Sequence, residues 1–325
     1  MMRLSRFRAL TPQSLSEAAA ALADLGAEAS VLAGGTDLLP NMKRRQQTPG
    51  TVVALRGIAA LRARSGDPAR GLTLGALTRL SEIEHDSGVA QAWPALTQAV
   101  SQIATPPLRN MGTIGGNLCL DTRCSYYDQG PEWRAAIGYC LKKDGDICWV
   151  APGSPRCWAV QSSDTVPVVC AMEAEVELVG PNGTRRIKAG DLYRDDGMQY
   201  LTKQPNELLT RVFLPPPGQW KASYEKLRRR GTFDFPVLGV GVCLWFDGKV
   251  VKKANVRLGG AGSYAIPATD TEQLLVGREL TDEVIAAAGA AAMKPARTMD
   301  NTDLDVYWRR KVAPIYVARA IAGCR

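Results

Sequence analysis

A chain of 325 residues exceeds what one ordinary hydrophobic core organises and implies two or three domains. At 46% hydrophobic and 22% charged residues it reads as globular, neither disordered nor fibrous; its longest apolar run, FPVLGVGVCLWF, carries two glycines and is too short for a membrane span. A net charge of +8 is scattered over separate basic groups such as Lys43-Arg44-Arg45 and Arg228-Arg229-Arg230, with no helix-turn-helix or aromatic–basic motif, so an anionic cofactor or an acidic partner is expected rather than nucleic acid.

The N-terminal stretch MMRLSRFRALTPQS has arginines but no apolar segment of a secretory signal, so a cytoplasmic location without membrane attachment is expected. Eight cysteines in such a chain point to metal or redox chemistry rather than disulfides. The single histidine, His85, argues against His-assisted hydrolysis and reads as an exposed cation at a helix C-terminus.

Ser14-x-x-Glu17 is a capping box that opens a helix with Ala18, Ala21, Leu22 and Leu25 on one face and Gly26 as its stop. A β-like run, EASVLA, ends on Gly34-Gly35-Thr36-Asp37, and a helical LLPNMKRR follows with Thr36 or Asp37 as N-cap. A strand–Gly-Gly–helix junction exposes backbone N–H groups to phosphate oxygens, although no G-x-G-x-x-G fingerprint occurs here and a plain turn explains the residues as well. TVVAL and GLTLGAL read as strands. Helices are expected from about Thr78 to His85 and over WPALTQAVSQIA, the latter stopped by Thr105-Pro106-Pro107. Asn110 to Asn117 forms a second glycine-paired turn.

Six of the eight cysteines then fall between Thr105 and Cys170. Cys124, Cys140, Cys148 and Cys157 stand mostly among Arg, Asp, Lys, Gly and Pro, in turn-rich surroundings. Four thiolates from one loop suit a tetrahedral zinc or an iron–sulfur cluster, and the plain alternative is four scattered free thiols. After Asp164 come a helix, DTVPVVCAMEA, and strands VELVG and TRRIKAG joined at Asn182-Gly183. Pro215-Pro216-Pro217-Gly218 is the strongest linker signal, which divides the chain into domains 1–217 and 218–325. Beyond it, YEKLRRR, PVLGVGVCLWFDG and VVKKANVRLGG alternate like an antiparallel sheet, and two helical segments close an α+β unit.

VLAGGTDLLPNMK, RNMGTIGGNL and YEKLRRR together resemble the FAD-binding subunits of the xanthine-oxidase (molybdenum hydroxylase) family over nearly the whole chain. The resemblance implies an α+β architecture: a p-cresol methylhydroxylase-type FAD fold followed by a smaller C-terminal domain of antiparallel sheet plus helices, with no substrate-transforming residue of its own. It implies a first FAD loop over Val31, Leu32, Ala33, Gly34, Gly35, Thr36, Asp37 and Leu38, and a second over Gly112, Thr113, Ile114, Gly115 and Gly116. It further implies cofactor contacts from Ile103, Ser125 and Asp164, and a cationic contact to the flavin from Lys226.

NLCLDTRC, WRAAIGYCLK, GDIC and PRC resemble, within that family, the 4-hydroxybenzoyl-CoA reductase branch. By that resemblance Cys124, Cys140, Cys148 and Cys157, in an insert of about 119–160, hold a [4Fe–4S] cluster, while Cys119 packs and Cys170, Cys243 and Cys324 are structural. The implied partners are a molybdopterin-containing large subunit and a [2Fe–2S] small subunit, in a dimer of heterotrimers, with ferredoxin as donor. The implied reaction is reductive dehydroxylation to benzoyl-CoA. The alternatives are an FAD/iron–sulfur subunit of another molybdenum enzyme that oxidises an aldehyde or N-heterocycle, and a non-redox binding module built on a four-cysteine zinc site.

Overall fold

Residues 3–325 are described by the computed structural model. The chain opens with β1 (Arg8–Leu10), α1 (Leu15–Leu25), β2 (Ala29–Leu32), α2 (Leu38–Lys43) and β3 (Thr51–Ala54). The three strands form a parallel sheet in the order β1-β3-β2, each strand reached through a helix because parallel neighbours need a crossover. The capping box takes a modified form. Ser14 Oγ accepts the N–H of Glu17 at 3.2 Å, while the Glu17 carboxylate accepts from Gln13, one residue before the cap. Gly26 ends α1 at φ 50°.

The middle of the chain contributes β4 (Arg64–Asp67), β5 (Gly71–Gly75), α3 (Leu80–Glu84), α4 (Ser87–Ala92), α5 (Pro94–Ser101), α6 (Pro106–Arg109), α7 (Ile114–Leu118), α8 (Pro131–Ala136), α9 (Thr165–Ala171), β6 (Glu175–Gly180), β7 (Gly183–Lys188) and β8 (Leu208–Leu214). Its five strands are antiparallel, in the order β4-β5-β8-β6-β7. The Asn182-Gly183 signal lies at the β6–β7 hairpin, with Gly183 at φ 107°. His85 caps α3, exposed, with Nδ1 2.7 Å from the Ser81 carbonyl oxygen.

Then follow β9 (Trp220–Leu227), β10 (Leu238–Asp247), β11 (Val250–Gly259), β12 (Ile266–Pro267), α10 (Thr269–Leu275), α11 (Asp282–Ala291) and α12 (Val306–Ala322). The four strands make a second antiparallel sheet, ordered β12-β11-β10-β9. The near-continuous apolar run of β10 has a physical cause: both faces of this sheet are covered. One face meets α5 and α9, and the other meets α10 and α12. Ala222, Tyr224 and Cys243 therefore share a buried cluster with Leu96 and Val100 of the N-terminal part, while Leu244, Val256 and Val317 belong to a second core. Between β8 and β9 the proline stretch is pinned by Trp93, whose indole N–H donates to the Pro215 carbonyl at 2.8 Å. No described helix is long and apolar enough to cross a membrane.

Candidate functional site

The two glycine turns lie back to back. A Cβ on Gly34 would fall on the carbonyl oxygen of Met111 and within 3.0 Å of Gly112 Cα, so only glycine allows this approach. In the first turn Gly35 sits at φ 76°. Among the described residues, no protein acceptor takes the N–H of Gly34, Gly35, Thr36 or Asp37. Four successive half-buried amides without a partner are a donor set suited to an anion such as a pyrophosphate.

The second turn is bonded differently: most of its amides are taken by protein acceptors, and among the described residues only Thr113 N–H has none. Ile114 N–H donates to Thr78 O and Gly115 N–H to Ala76 O, each at 2.9 Å. Gly116 N–H donates to Thr113 Oγ1 at 3.1 Å, and Asn117 N–H to the Thr113 carbonyl at 2.9 Å. A Cβ on Gly115 would stand 2.6 Å from that of Ala76. Glycine at 115 therefore serves to seat α7 against the chain at Ala76–Thr78. Ala33 and Gly116 face each other across the two loops.

Ile103, Asp164 and Lys226 converge. Asp164 precedes α9; Tyr224 Oη donates to its carboxylate at 2.6 Å, and Lys226 Nζ lies 2.9 Å from it. Lys226 also donates to the Gln102 carbonyl, next to half-buried Ile103, and to the Asp234 carbonyl, both at 2.9 Å. An ammonium has three hydrogens, and here all three are taken by protein oxygens. Lys226 is thus a buried tie between three segments. Burial pushes the Asp164 carboxyl up and the Lys226 ammonium down, and each group's charge opposes the other's shift. Ser125, exposed, donates its N–H to the Asn301 carbonyl at 3.0 Å, linking the cysteine segment to the C-terminal part.

The cysteine segment forms a lobe with little regular structure, whose ends are neighbours. Arg123 N–H donates to Val160 O at 2.8 Å, and Val160 N–H returns to Arg123 O at 2.7 Å. Cys124 and Cys157 come from this neck, and Cys140 and Cys148 from turns farther along the lobe. All four are buried and line one pocket, with about 10 Å³ of space open to a water-sized group among the side chains. Cys157 Sγ accepts the Ala159 N–H at 3.4 Å. Burial pushes the thiols of Cys124 and Cys157 up to about 12 and about 11, so without an electropositive centre they stay protonated at neutral pH.

No set of three or more His, Cys, Asp or Glu among the described residues is disposed to hold a single metal ion. A tetrahedral zinc with Zn–S near 2.3 Å would draw its sulfurs to about 3.8 Å apart. The four thiols share one pocket, and four thiolates are the donor number of an iron–sulfur cluster as well as of a zinc. Cys119 lies outside the pocket at the end of α7 and packs on the main core; Cys170, Cys243 and Cys324 are buried in the two cores.

The lobe is fastened onto the first glycine loop by residues that sequence reasoning passed over. Arg123 Nη2 is paired with Asp37, while Nη1 donates to Asn41 Oδ1 at 3.0 Å, and the guanidinium stands 5.0 Å from the Phe235 ring centroid. Asp121 N–H donates to the Asp37 carboxylate at 3.3 Å. Arg134, buried, donates to the Arg45 carbonyl at the end of α2 at 2.9 Å. An arginine directly before the first cysteine was the available signal; its partners at 37 and 41 are visible only in three dimensions.

Fold and loops thus define an anion-binding amide cradle with an appended thiol lobe, and comparison with known proteins assigns the flavin. Residues 5–217 match the family described as the FAD binding domain in molybdopterin dehydrogenase, and residues 222–323 match the CO dehydrogenase flavoprotein C-terminal domain. The chain is 28% identical over 317 residues to the carbon monoxide dehydrogenase medium chain of Hydrogenophaga pseudoflava, covering 97% of this chain and 96% of that one. It is 30% identical over 275 residues to the aldehyde oxidoreductase FAD-binding subunit PaoB of Escherichia coli (strain K12), covering 81% and 85%. A solved structure of carbon monoxide dehydrogenase from Hydrogenophaga pseudoflava superposes with a TM-score of 0.79 at 26% identity, covering 99% of this chain and 100% of that one. The chain belongs to the FAD-binding subunits of the molybdenum hydroxylases, the family of the carbon monoxide dehydrogenase medium chains. It is an oxidoreductase subunit with FAD as its cofactor.

Proposed function

We propose that this chain is the FAD- and [4Fe–4S]-carrying electron-transfer subunit of a molybdenum-dependent 4-hydroxybenzoyl-CoA reductase. In this reading it assembles with a molybdopterin large subunit and a [2Fe–2S] small subunit and takes electrons from a ferredoxin-like donor. One observation carries it: the four cysteines of the insert line one buried pocket, in a lobe that Arg123 fastens to the first FAD loop. When bound, FAD exchanges one or two electrons and a [4Fe–4S] cluster exchanges one, so the pair can match a one-electron donor to a two-electron reaction.

The chain's own residues bind and orient. The amides of Gly34 to Asp37 would hold the FAD pyrophosphate, and Gly34 keeps the second loop, with Thr113, against the first. Asp164, Tyr224 and Lys226 fix the turn that carries Ile103. Cys124, Cys140, Cys148 and Cys157 would ligate the cluster, and the backbone N–H groups of Tyr126 and Tyr127 against Cys124 would stabilise its thiolate. The choice of a thioester substrate is supported by the likeness of the cysteine segment to the reductase branch.

A second reading, an FAD/iron–sulfur subunit working oxidatively on an aldehyde or N-heterocycle, is favoured by the likeness to the aldehyde oxidoreductase FAD-binding subunit of Escherichia coli. The test has two stages. The purified chain is assayed for FAD, iron and acid-labile sulfide; about four irons and four sulfides per FAD are expected, and colourless or zinc-loaded protein overturns the cluster. The three-subunit complex is then supplied, without oxygen, with 4-hydroxybenzoyl-CoA and a low-potential donor. Formation of benzoyl-CoA is expected; aldehyde oxidation with no thioester turnover moves the assignment to the second reading.

A further inference from the structure

Lys142 lines the four-cysteine pocket, yet none of its hydrogens is free for a sulfur. Its ammonium donates to Asp121 Oδ1 at 2.9 Å, to Thr122 Oγ1 at 2.7 Å and to the Gly197 carbonyl at 2.7 Å. The side chain is 7% exposed, and Nζ stands 4.9 Å from the Tyr127 ring centroid and 5.6 Å from that of Tyr200. A cation held by three oxygens and two aromatic faces cannot swing into solvent or onto a ligand. It acts on the pocket through its field alone.

Its counter-ion is placed asymmetrically. Asp121 does not line the pocket; its second carboxylate oxygen accepts from Tyr127 Oη and from Gln47 Nε2, both at 3.0 Å, and its N–H turns to Asp37 in the first FAD loop. Lys142 is therefore the member of the ion pair that borders the thiol pocket, with Asp121 set back from it. Both side chains are at least nine-tenths buried, so salt and water screen this field weakly.

We propose that Lys142 is the potential-setting residue of the cysteine lobe, holding the reduction potential of the group bound there above the value its thiolates alone would give. The proposal rests on the reading of Cys124, Cys140, Cys148 and Cys157 as [4Fe–4S] ligands. Reduction makes the bound group more negative, so a fixed cation beside it favours the reduced form, and an anion opposes it. Asp121 acts in the opposite sense from farther away and holds Lys142 in place.

The test is a redox titration of the holoprotein followed by cluster EPR, with the flavin absorbance as internal reference. Lys142→Met is expected to shift the cluster potential downward and Asp121→Asn upward, while Lys142→Arg keeps it near wild type. Because Lys142→Met leaves a buried carboxylate unpaired and risks losing the lobe, the double variant Asp121→Asn/Lys142→Met is titrated against Asp121→Asn, where a downward shift is expected again. A cluster present in every protein with an unchanged or raised potential on loss of Lys142 overturns the proposal. Wild-type protein without iron and sulfide overturns instead the cluster reading beneath it.

Discussion

Lys226 and Asp164 face each other at 2.9 Å with both side chains almost wholly buried, and through them β9, the end of α5, the start of α9 and the loop at Asp234 are held together. Breaking such a pair on one side leaves the other charge stranded, at a cost of about 3–5 kcal/mol. Lys226→Met is therefore expected to lower the urea midpoint and to release FAD as the Ile103 turn loosens. The double variant Lys226→Met/Asp164→Asn should recover part of the stability. Equal destabilisation in single and double variants would remove the stranded charge as the cause.

The two glycine turns should respond differently. Gly115→Val drives a side chain into Ala76 and is expected to cost about 1–3 kcal/mol in thermal stability of the apoprotein, with FAD lost as a consequence. Gly35→Ala forces a left-handed residue at about 1–2 kcal/mol. Its Cβ meets only the side-chain tips of Leu39 and Leu32, so the fold should survive with weakened FAD binding. Thermal unfolding and FAD release by fluorescence separate the two.

Cysteine replacements should divide by location. Cys140→Ser and Cys148→Ser, at the pocket, are expected to lower iron and sulfide content, whereas Cys119→Ser and Cys243→Ser, outside it, should leave both at wild-type levels. Iron lost from Cys119→Ser but retained in Cys124→Ser would move the first ligand to position 119.

Arg123 touches both functional regions, since it pairs with Asp37 of the first FAD loop and immediately precedes Cys124. A hydrogen bond to a charged group contributes about 1.5–3 kcal/mol, which is roughly ten-fold or more in an equilibrium constant. Arg123→Gln is therefore expected to weaken FAD binding about ten-fold and to speed iron loss to a chelator in the same protein. Loss of one cofactor with full retention of the other would show that the tie does not couple them.

One carboxylate gives a pH signature. Arg185 holds the Glu207 carboxyl below its usual range, through bonds of 2.7 and 2.8 Å. A depressed folded-state pKa contributes stability above the unfolded value, near 4.5, and that contribution disappears as pH falls through the lower folded value. Arg185 is 42% exposed, so screening limits the effect to under about 1 kcal/mol. Arg185→Leu should lower the melting temperature slightly at pH 6 and converge with wild type as pH falls through the lowered folded value, as followed by calorimetry.

Local signals led reliably to local structure. The Ser14 cap, the hairpin at Gly183 and the apolar run of β10 each depend on residues a few places apart, and a sequence displays those. The shared pocket of Cys124, Cys140, Cys148 and Cys157 was legible because chemistry restricts what four polar-flanked thiols can do. The direction of a missing side chain was not: the Gly115-Gly116 pair looks like Gly34-Gly35 on paper, yet the Gly115 Cβ vector points at Ala76 and its amide is already taken. The partners of Lys226 were equally hidden, because two are backbone oxygens, one of them 124 positions away. β4 escaped notice because RSGD is exposed throughout and carries no apolar alternation.

The hydrogen-bonded neck between Arg123 and Val160 gives the cysteine lobe a modular character. A loop whose two ends are already neighbours adds no separation for the surrounding chain to bridge, so the flavin fold closes along the same path with the lobe or without it. Joined across that neck by a short turn, the protein would be a plain flavoprotein. Spliced at the corresponding neck of a cysteine-free relative, the lobe would carry its thiols with it, provided Asp37, Asn41 and the Arg45 carbonyl have counterparts to receive it.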